Sequence, residues 1–254
     1  MYNQNSIIIA IILFTLILLA YEISFRLGSR KKKVTNQEIK TQTYSIQVGI
    51  FGLLALLLGF SFNLALQRYD SRNQAVIMES NAIGTALLRT QLLPEPYDTI
   101  TYNLLQKYVD LRIELSIIDL TKREERTFIN RKTDKIQNEI WENTIKLTEI
   151  DSRVATTGNF ITVLNEVFDA RDRRNAIFQQ HIPESILFLL FIVFVTGGAL
   201  MGYSSGLSLR RALIPTIIFT LLIVLIVFII IDLDRPIRGL ITVKMDNLFE
   251  LKQS

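Results

Sequence analysis

Residues 45–94 read SIQVGIFGLLALLLGFSFNLALQRYDSRNQAVIMESNAIGTALLRTQLLP, and the fold turns on this stretch. From Ser45 to Gln67 it holds no charged side chain. A helix crosses the hydrocarbon layer of a bilayer with about 20 predominantly apolar residues, so this half reads as a membrane span. From Arg68 to Leu93 the residues turn polar, and the only Gly or Pro among them is Gly84. Nothing therefore ends the helix at the membrane boundary. It is predicted to continue into water until Pro94-Glu95-Pro96, where the missing amide donors break it.

Three further segments have the same apolar character. Ile7 to Phe25 is apolar apart from Thr15, Glu22 and Ser24. A secretory signal would open with basic residues and end in small ones. This segment follows an uncharged MYNQNS and ends in Phe25-Arg26, so it is read as a retained span. A third span is predicted from about Glu184 to Ser204, after Pro183, and a fourth from about Leu213 to Ile231, with Pro215 in its first turn. The expected organisation is a first transmembrane hairpin over 1–67, a water-exposed domain over 68–182, a second hairpin over 183–232 and a tail over 233–254. The predicted fold class is an all-α integral membrane protein with four transmembrane helices.

Composition narrows the function classes. The chain of 254 residues is 49% hydrophobic, which suits a bilayer better than a water-covered globule. It has no cysteine and a single histidine, His181, so disulfides, thiolate metal sites and a multi-histidine site within one protomer are excluded, and no cofactor or metal is expected. The formal charge of +4 needs no nucleic acid to explain it. Basic residues beside spans usually set topology. The first loop carries Arg26, Arg30, Lys31, Lys32, Lys33 and Lys40, and the loop between spans three and four carries Arg210 and Arg211. Short basic loops stay cytoplasmic, whereas regions beyond about 60 residues cross largely regardless of charge. The opposite side carries Arg68, Arg72, Arg171, Arg173, Arg174, Arg235, Arg238 and Lys244, so raw totals are close; the weight of the short loops favours a multi-pass protein of the cell (inner) membrane with its helical domain extracytoplasmic.

Within that domain, Leu104, Leu105, Tyr108, Leu111 and Leu115 repeat with helical spacing on a helix from about Asp98 to Ile118. The run TKREERTFINRKTDK reads as a solvated face or loop. Ile136, Ile140, Trp141 and Ile145 mark another helix, and Val163, Leu164, Val167 and Phe168 are the inward side of a last one, about Phe160 to Gln180. A helical bundle results.

Two groups of residues carry the functional reading. Gly52, Leu56, Gly59, Asn63, Leu66 and Asp70 recur at steps of three and four on one face of the second span. Glycines let helices approach closely, so one reading is packing; the other is a pore-lining face with Asn63 and Asp70 wetted. The second group lies at a membrane edge: Arg68, Arg72 and Glu79 on the second helix, and Asp232, Asp234 and Arg235 in the stretch IDLDRPIRGLITV, residues 231–243. Charges at such density must be paired or wetted. They fit either a structural lock between spans two and four or a charged ring at a pore mouth, with Glu79 pairing towards Arg72 or facing a vestibule.

These same residues resemble a known family. Arg68-Tyr69-Asp70, Glu79-Ser80-Asn81-Ala82-Ile83-Gly84-Thr85-Ala86, Leu92-Leu93-Pro94 and the ending Asp232-Leu233-Asp234-Arg235-Pro236 with Arg238-Gly239 are similar to the hallmarks of bestrophin-like bacterial membrane proteins. Leu58-Gly59-Phe60, Asn63 and Arg68-Tyr69 further resemble the neck helix of bestrophins, although Tyr69-Asp70 stands where those have two large aromatics. Bestrophins are pentameric ion channels whose second span lines the pore. The resemblance implies a homo-oligomer in a lipid bilayer passing an inorganic ion, with Phe60 or Phe62 as apolar neck residues and Asn63 as a polar lining residue. It also implies a cytosolic helical domain, against the charge count.

The alternative is a membrane-anchored sensor without a pore, since a helical domain between two spans looks like the sensory bundle of a chemoreceptor; the short tail would then require a partner protein. An enzyme has little support. The chain has no Gly-rich phosphate loop and no metal-binding spacing, and the carboxylates Asp232 and Asp234 identify no substrate.

Overall fold

A helix satisfies its own backbone donors and acceptors, which is what hydrocarbon demands of any lone segment crossing it. The structure, a computed structural model, describes residues 4–31, 36–209, 211 and 213–252. Lys32, Lys33 and Arg210, used above for orientation, and the first three residues of MYNQNS lie outside these. Among the described residues every regular element is helical: α1 (Ser6–Lys31), α2 (Gln37–Thr90), α3 (Tyr97–Ile117), α4 (Arg123–Ile150), a π turn (Val154–Gly158), α5 (Asn159–Gln179), α6 (Glu184–Ser208), α7 (Leu213–Leu233) and a short α8 (Asp246–Glu250). Four helical stretches are long and apolar enough to cross a membrane, and they contain the four predicted spans. The second is one unbroken helix of 54 residues, ending just before Pro94. The protein is an all-α integral membrane protein.

The chain divides into two compact units, a span unit (1–67 and 181–235) and a helical unit (68–180 and 236–254). In the span unit, α1 and α6 pack backbone against backbone. Gly198, Gly202 and Gly206 recur every four residues on α6, so they share one face. A Cβ at Gly202 would collide with the Tyr21 carbonyl oxygen, one at Gly206 with that of Phe25, and one at Gly28 with that of Tyr203. At Gly198 it would come within 2.8 Å of the Ile17 side chain. Lipid tails are as apolar as leucine, so close van der Waals contact of this kind holds spans together. On α1 the buried stripe is correspondingly narrow: Ser6, Ile9, Leu13, Ile17, Tyr21, Phe25 and Gly28. Its other faces, and much of α7, expose Ile and Leu side chains, the surface a bilayer solvates. Gly197 adjoins Phe51 and Leu54 of α2, and the rings of Phe51 and Phe219 (α7) lie 5.2 Å apart, tying the second span to α6 and α7.

The helical unit has an ordinary aqueous-protein core. Val76, Ile83, Ala86 and Leu87 of α2 pack with Leu105, Tyr108 and Val109 of α3, Ile140 and Leu147 of α4, and Phe160, Leu164 and Val167 of α5. From Arg123 to Lys135 the run TKREERTFINRKTDK forms the first half of α4, and only Ile129 and Thr133 in it are buried, so it is a solvated helix face rather than a loop. Trp141 and Ile145, expected to mark this helix, lie on its exposed side. Of the tail expected over 233–254, residues 236–252 belong to this unit: Val243 and Leu248 enter its core, and Lys252 pairs with Asp110 at 2.7 Å.

Candidate functional site

The polar and glycine-bearing face of the second span is open. Gly52, Leu56, Gly59, Asn63, Leu66 and Asp70 are all exposed. A Cβ built on Gly49, Gly52 or Gly59 meets nothing within 4 Å, so these glycines do not serve close packing inside the protomer. The tight glycine contacts belong to α6, whose repeat at 198, 202 and 206 sequence reasoning passed over although its four-residue period was readable. Against the rest of the span unit α2 instead turns Leu54, Ser61 and Ala65. Phe60 and Phe62 are 65% and 38% exposed and flank the open face on its two sides.

This face differs from the other exposed surfaces of the spans. The outward sides of α1 and α7 are nearly continuous Ile and Leu. On α2 the exposed row alternates glycine and leucine and then carries a carboxamide, Asn63, and a carboxylate, Asp70. An amide left without partners in hydrocarbon costs several kcal/mol, about 4–8 on a cyclohexane reference. Such a row needs water or another protein surface.

The charged residues are distributed differently from the open face. Asp70 is exposed and Arg68 half-buried, but Arg72 is fully buried, its Nη2 donating to the Gln180 carbonyl at 2.6 Å and so fixing α2 to the end of α5. Asp232, Asp234 and Arg235 are buried as well. The Ile182 amide donates to both carboxylate oxygens of Asp234 at 3.2 Å, and Nδ1 of His181 lies 3.6 Å from one of them. Arg235 donates to Ser6 Oγ at 2.8 Å and to the Gln4 carbonyl. Within the span unit, then, Asp234 and Arg235 gather the end of α7, the approach to α6 and the start of α1.

Glu79 stands apart from both of its expected settings. It is wholly buried in the helical unit, with Arg112 of α3 and Arg174 of α5 each at 2.5 Å from one of its oxygens. Burial pushes its carboxyl up, but the two guanidiniums outweigh that and hold it below the usual carboxylate range.

With this geometry in place, comparison with known proteins is decisive on one point. The family model described as the bestrophin-like domain matches residues 9–248, nearly the whole chain. The chain belongs to the bestrophin-like family. No curated protein and no solved structure matches it.

In this bestrophin-like protein the family match takes in the four spans, the helical unit and the Asp-Leu-Asp-Arg-Pro ending alike. It is a multi-pass membrane protein whose surroundings are the lipid bilayer. Two residues that sequence reasoning missed, Arg112 and Arg174, complete the most deeply buried ionic cluster described here. Arg112 had a readable signal: it occupies the apolar stripe of α3 between Tyr108 and Leu115, where a leucine was expected to point inward.

Proposed function

We propose that copies of this bestrophin-like chain assemble in the cell (inner) membrane as a ring, a pentamer by analogy with bestrophins, in which the second span of each copy faces a central ion path. The single observation that carries this reading is the open α2 face, on which Gly52, Gly59 and Asn63 are exposed on the part of the helix that must cross hydrocarbon, with Asp70 exposed just beyond it. A water-filled axis provides for the Asn63 amide and the Asp70 carboxylate without desolvating them. Glycines keep the passage wide, while Leu56, Phe60 and Phe62 supply the apolar constriction by which channels gate through dewetting. Asp70 is the charge nearest the path at the polar end of the span. Arg72, Asp232, Asp234 and Arg235, being buried, act as the frame that holds the lining helices.

The test is reconstitution. Purified protein in liposomes should conduct ions, and averaged particles should show second spans around a central axis. A monomer with its α2 face covered by lipid, giving no current across a range of salts and pH, overturns the proposal and favours a sensor acting through a partner.

A further inference from the structure

The ionic cluster of the helical unit does not balance. Glu79 brings one negative charge, and Arg112 and Arg174 bring two positive ones, in a place where Arg112 is only 1% exposed. Arginine cannot shed its proton to relieve the excess. Asp172 attracts Arg112 from the exposed side of α5, at longer range. Uncompensated charge in a protein interior is costly, and structures normally neutralise it.

Beside the cluster lies a small cavity whose lining includes Arg112, Ser116, Arg126, Arg174, Asn175 and Ile237. About 10 Å³ of it admits the centre of a water-sized sphere, room for one small ion or water. Three of the lining side chains are guanidiniums. The Nη1 group of Arg112 is buried without a hydrogen-bond partner, although the same side chain donates from Nε to Glu79 and from Nη2 to Asn175 Oδ1 at 3.4 Å. With its oxygen facing Arg112, the Asn175 carboxamide keeps its amino group as a further donor. Ser116 gives its proton to the Ile113 carbonyl and Arg126 donates to the carbonyls of Leu115 and Ile118, so the site rests on Arg112, Arg174 and Asn175.

We infer that this cavity is a binding site for one small monovalent anion of halide size, which neutralises the arginine excess and links α3, α4 and α5 to the segment after Pro236. The cavity excludes tetrahedral oxyanions such as sulfate by size. The inference is independent of ion conduction, because it concerns the core of the helical unit rather than the α2 face.

The experiment uses the full chain in detergent, purified free of halide. Sodium gluconate is exchanged stepwise for sodium chloride or bromide at constant sodium, and thermal unfolding is followed. Wild type should gain a saturable rise in Tm of about 2–4 °C. Ser116→Leu, which fills the cavity, should lose the saturable part. A bromide derivative of the wild-type protein should show an anomalous peak between Arg112 and Asn175, and this reading stands even if the variant does not fold. A Tm indifferent to halide together with no bromide peak overturns the site. So does a saturable rise that survives unchanged in folded Ser116→Leu, since the anion then binds elsewhere.

Discussion

The carboxylate of Glu79 and the guanidinium of Arg112 meet at 2.5 Å across 33 residues of sequence, both shut off from solvent. Removing one member of such a pair leaves the other buried and uncompensated, which costs about 3–5 kcal/mol. Here two arginines depend on one glutamate, so Glu79→Ala belongs at the upper end. Its measurable consequence is lost yield of folded protein and a lowered Tm. Arg171→Ala should cost less, because its partner Asp134 is more than half exposed.

The same carboxylate makes the helical unit acid-sensitive. The folded-state pKa of Glu79 is depressed, so the unfolded chain takes up its proton first as pH falls. The stabilisation is complete above the unfolded value of about 4.3 and disappears as pH falls through the lower folded value. Thermal unfolding scans should therefore show a steep acid limb below about pH 4. Glu79→Gln should lower the curve above that limb and flatten the limb, so that the two proteins converge in acid. An equally steep limb in the variant would assign the acid sensitivity to other groups.

Glycines in the two hairpins should respond oppositely to alanine. Gly202→Ala and Gly206→Ala drive a methyl group into carbonyl oxygens of α1, and overpacking of this kind costs about 1–3 kcal/mol or more. Gly52→Ala and Gly59→Ala meet no atom of the protomer, and a helix gains up to about 1 kcal/mol from losing an exposed glycine. Thermal stability in detergent separates the two classes. If Gly59→Ala leaves the protomer intact but disturbs the oligomer or its conductance, that face is an assembled surface.

These contrasts show what the sequence could and could not disclose. The spans were legible because hydrocarbon imposes a long uncharged run, and the α2 continuation because nothing between Arg68 and Pro94 breaks a helix. The glycine faces were not equally legible. Gly52 and Gly59, seven residues apart on α2, and Gly198, Gly202 and Gly206, four apart on α6, each fall on one helical face, yet only the second set touches a neighbouring backbone. Which face is covered depends on tertiary packing, on which periodicity is silent. Arg112 could be noticed as an arginine in an apolar stripe, but its partner lies on another helix. Sequence alone leaves Glu79 between Arg72 and a vestibule, whereas its partners are Arg112 and Arg174, and Arg72 donates to the Gln180 carbonyl.

Membrane orientation can be read with a single engineered thiol, since the chain contains no cysteine. Glu124 lies exposed near the start of α4. The basic first loop favours an extracytoplasmic helical unit, so Glu124→Cys in intact cells should react with a membrane-impermeant maleimide. Reaction only after the membrane is opened would place the unit in the cytosol, as in bestrophins, and reverse the weight given to the short basic loops.

Asp70 provides the sharpest test of the conduit. It is exposed at the polar end of the open face and belongs to neither buried cluster, so substitution there should not unfold the protomer. Asp70→Lys changes the local charge from negative to positive. At about 8 Å from a passing ion, even with the dielectric constant of bulk water, that swing amounts to about 1 kcal/mol per copy, roughly a fivefold fall in cation occupancy and a similar rise in anion occupancy. Several copies around one axis, and the lower dielectric of a narrow passage, enlarge it. Reversal potentials across a salt gradient should therefore shift towards anion selectivity, with the shift shrinking as ionic strength rises. An unchanged reversal potential in an oligomer shown to be intact would take Asp70 out of the ion path and leave the open face as a contact between subunits.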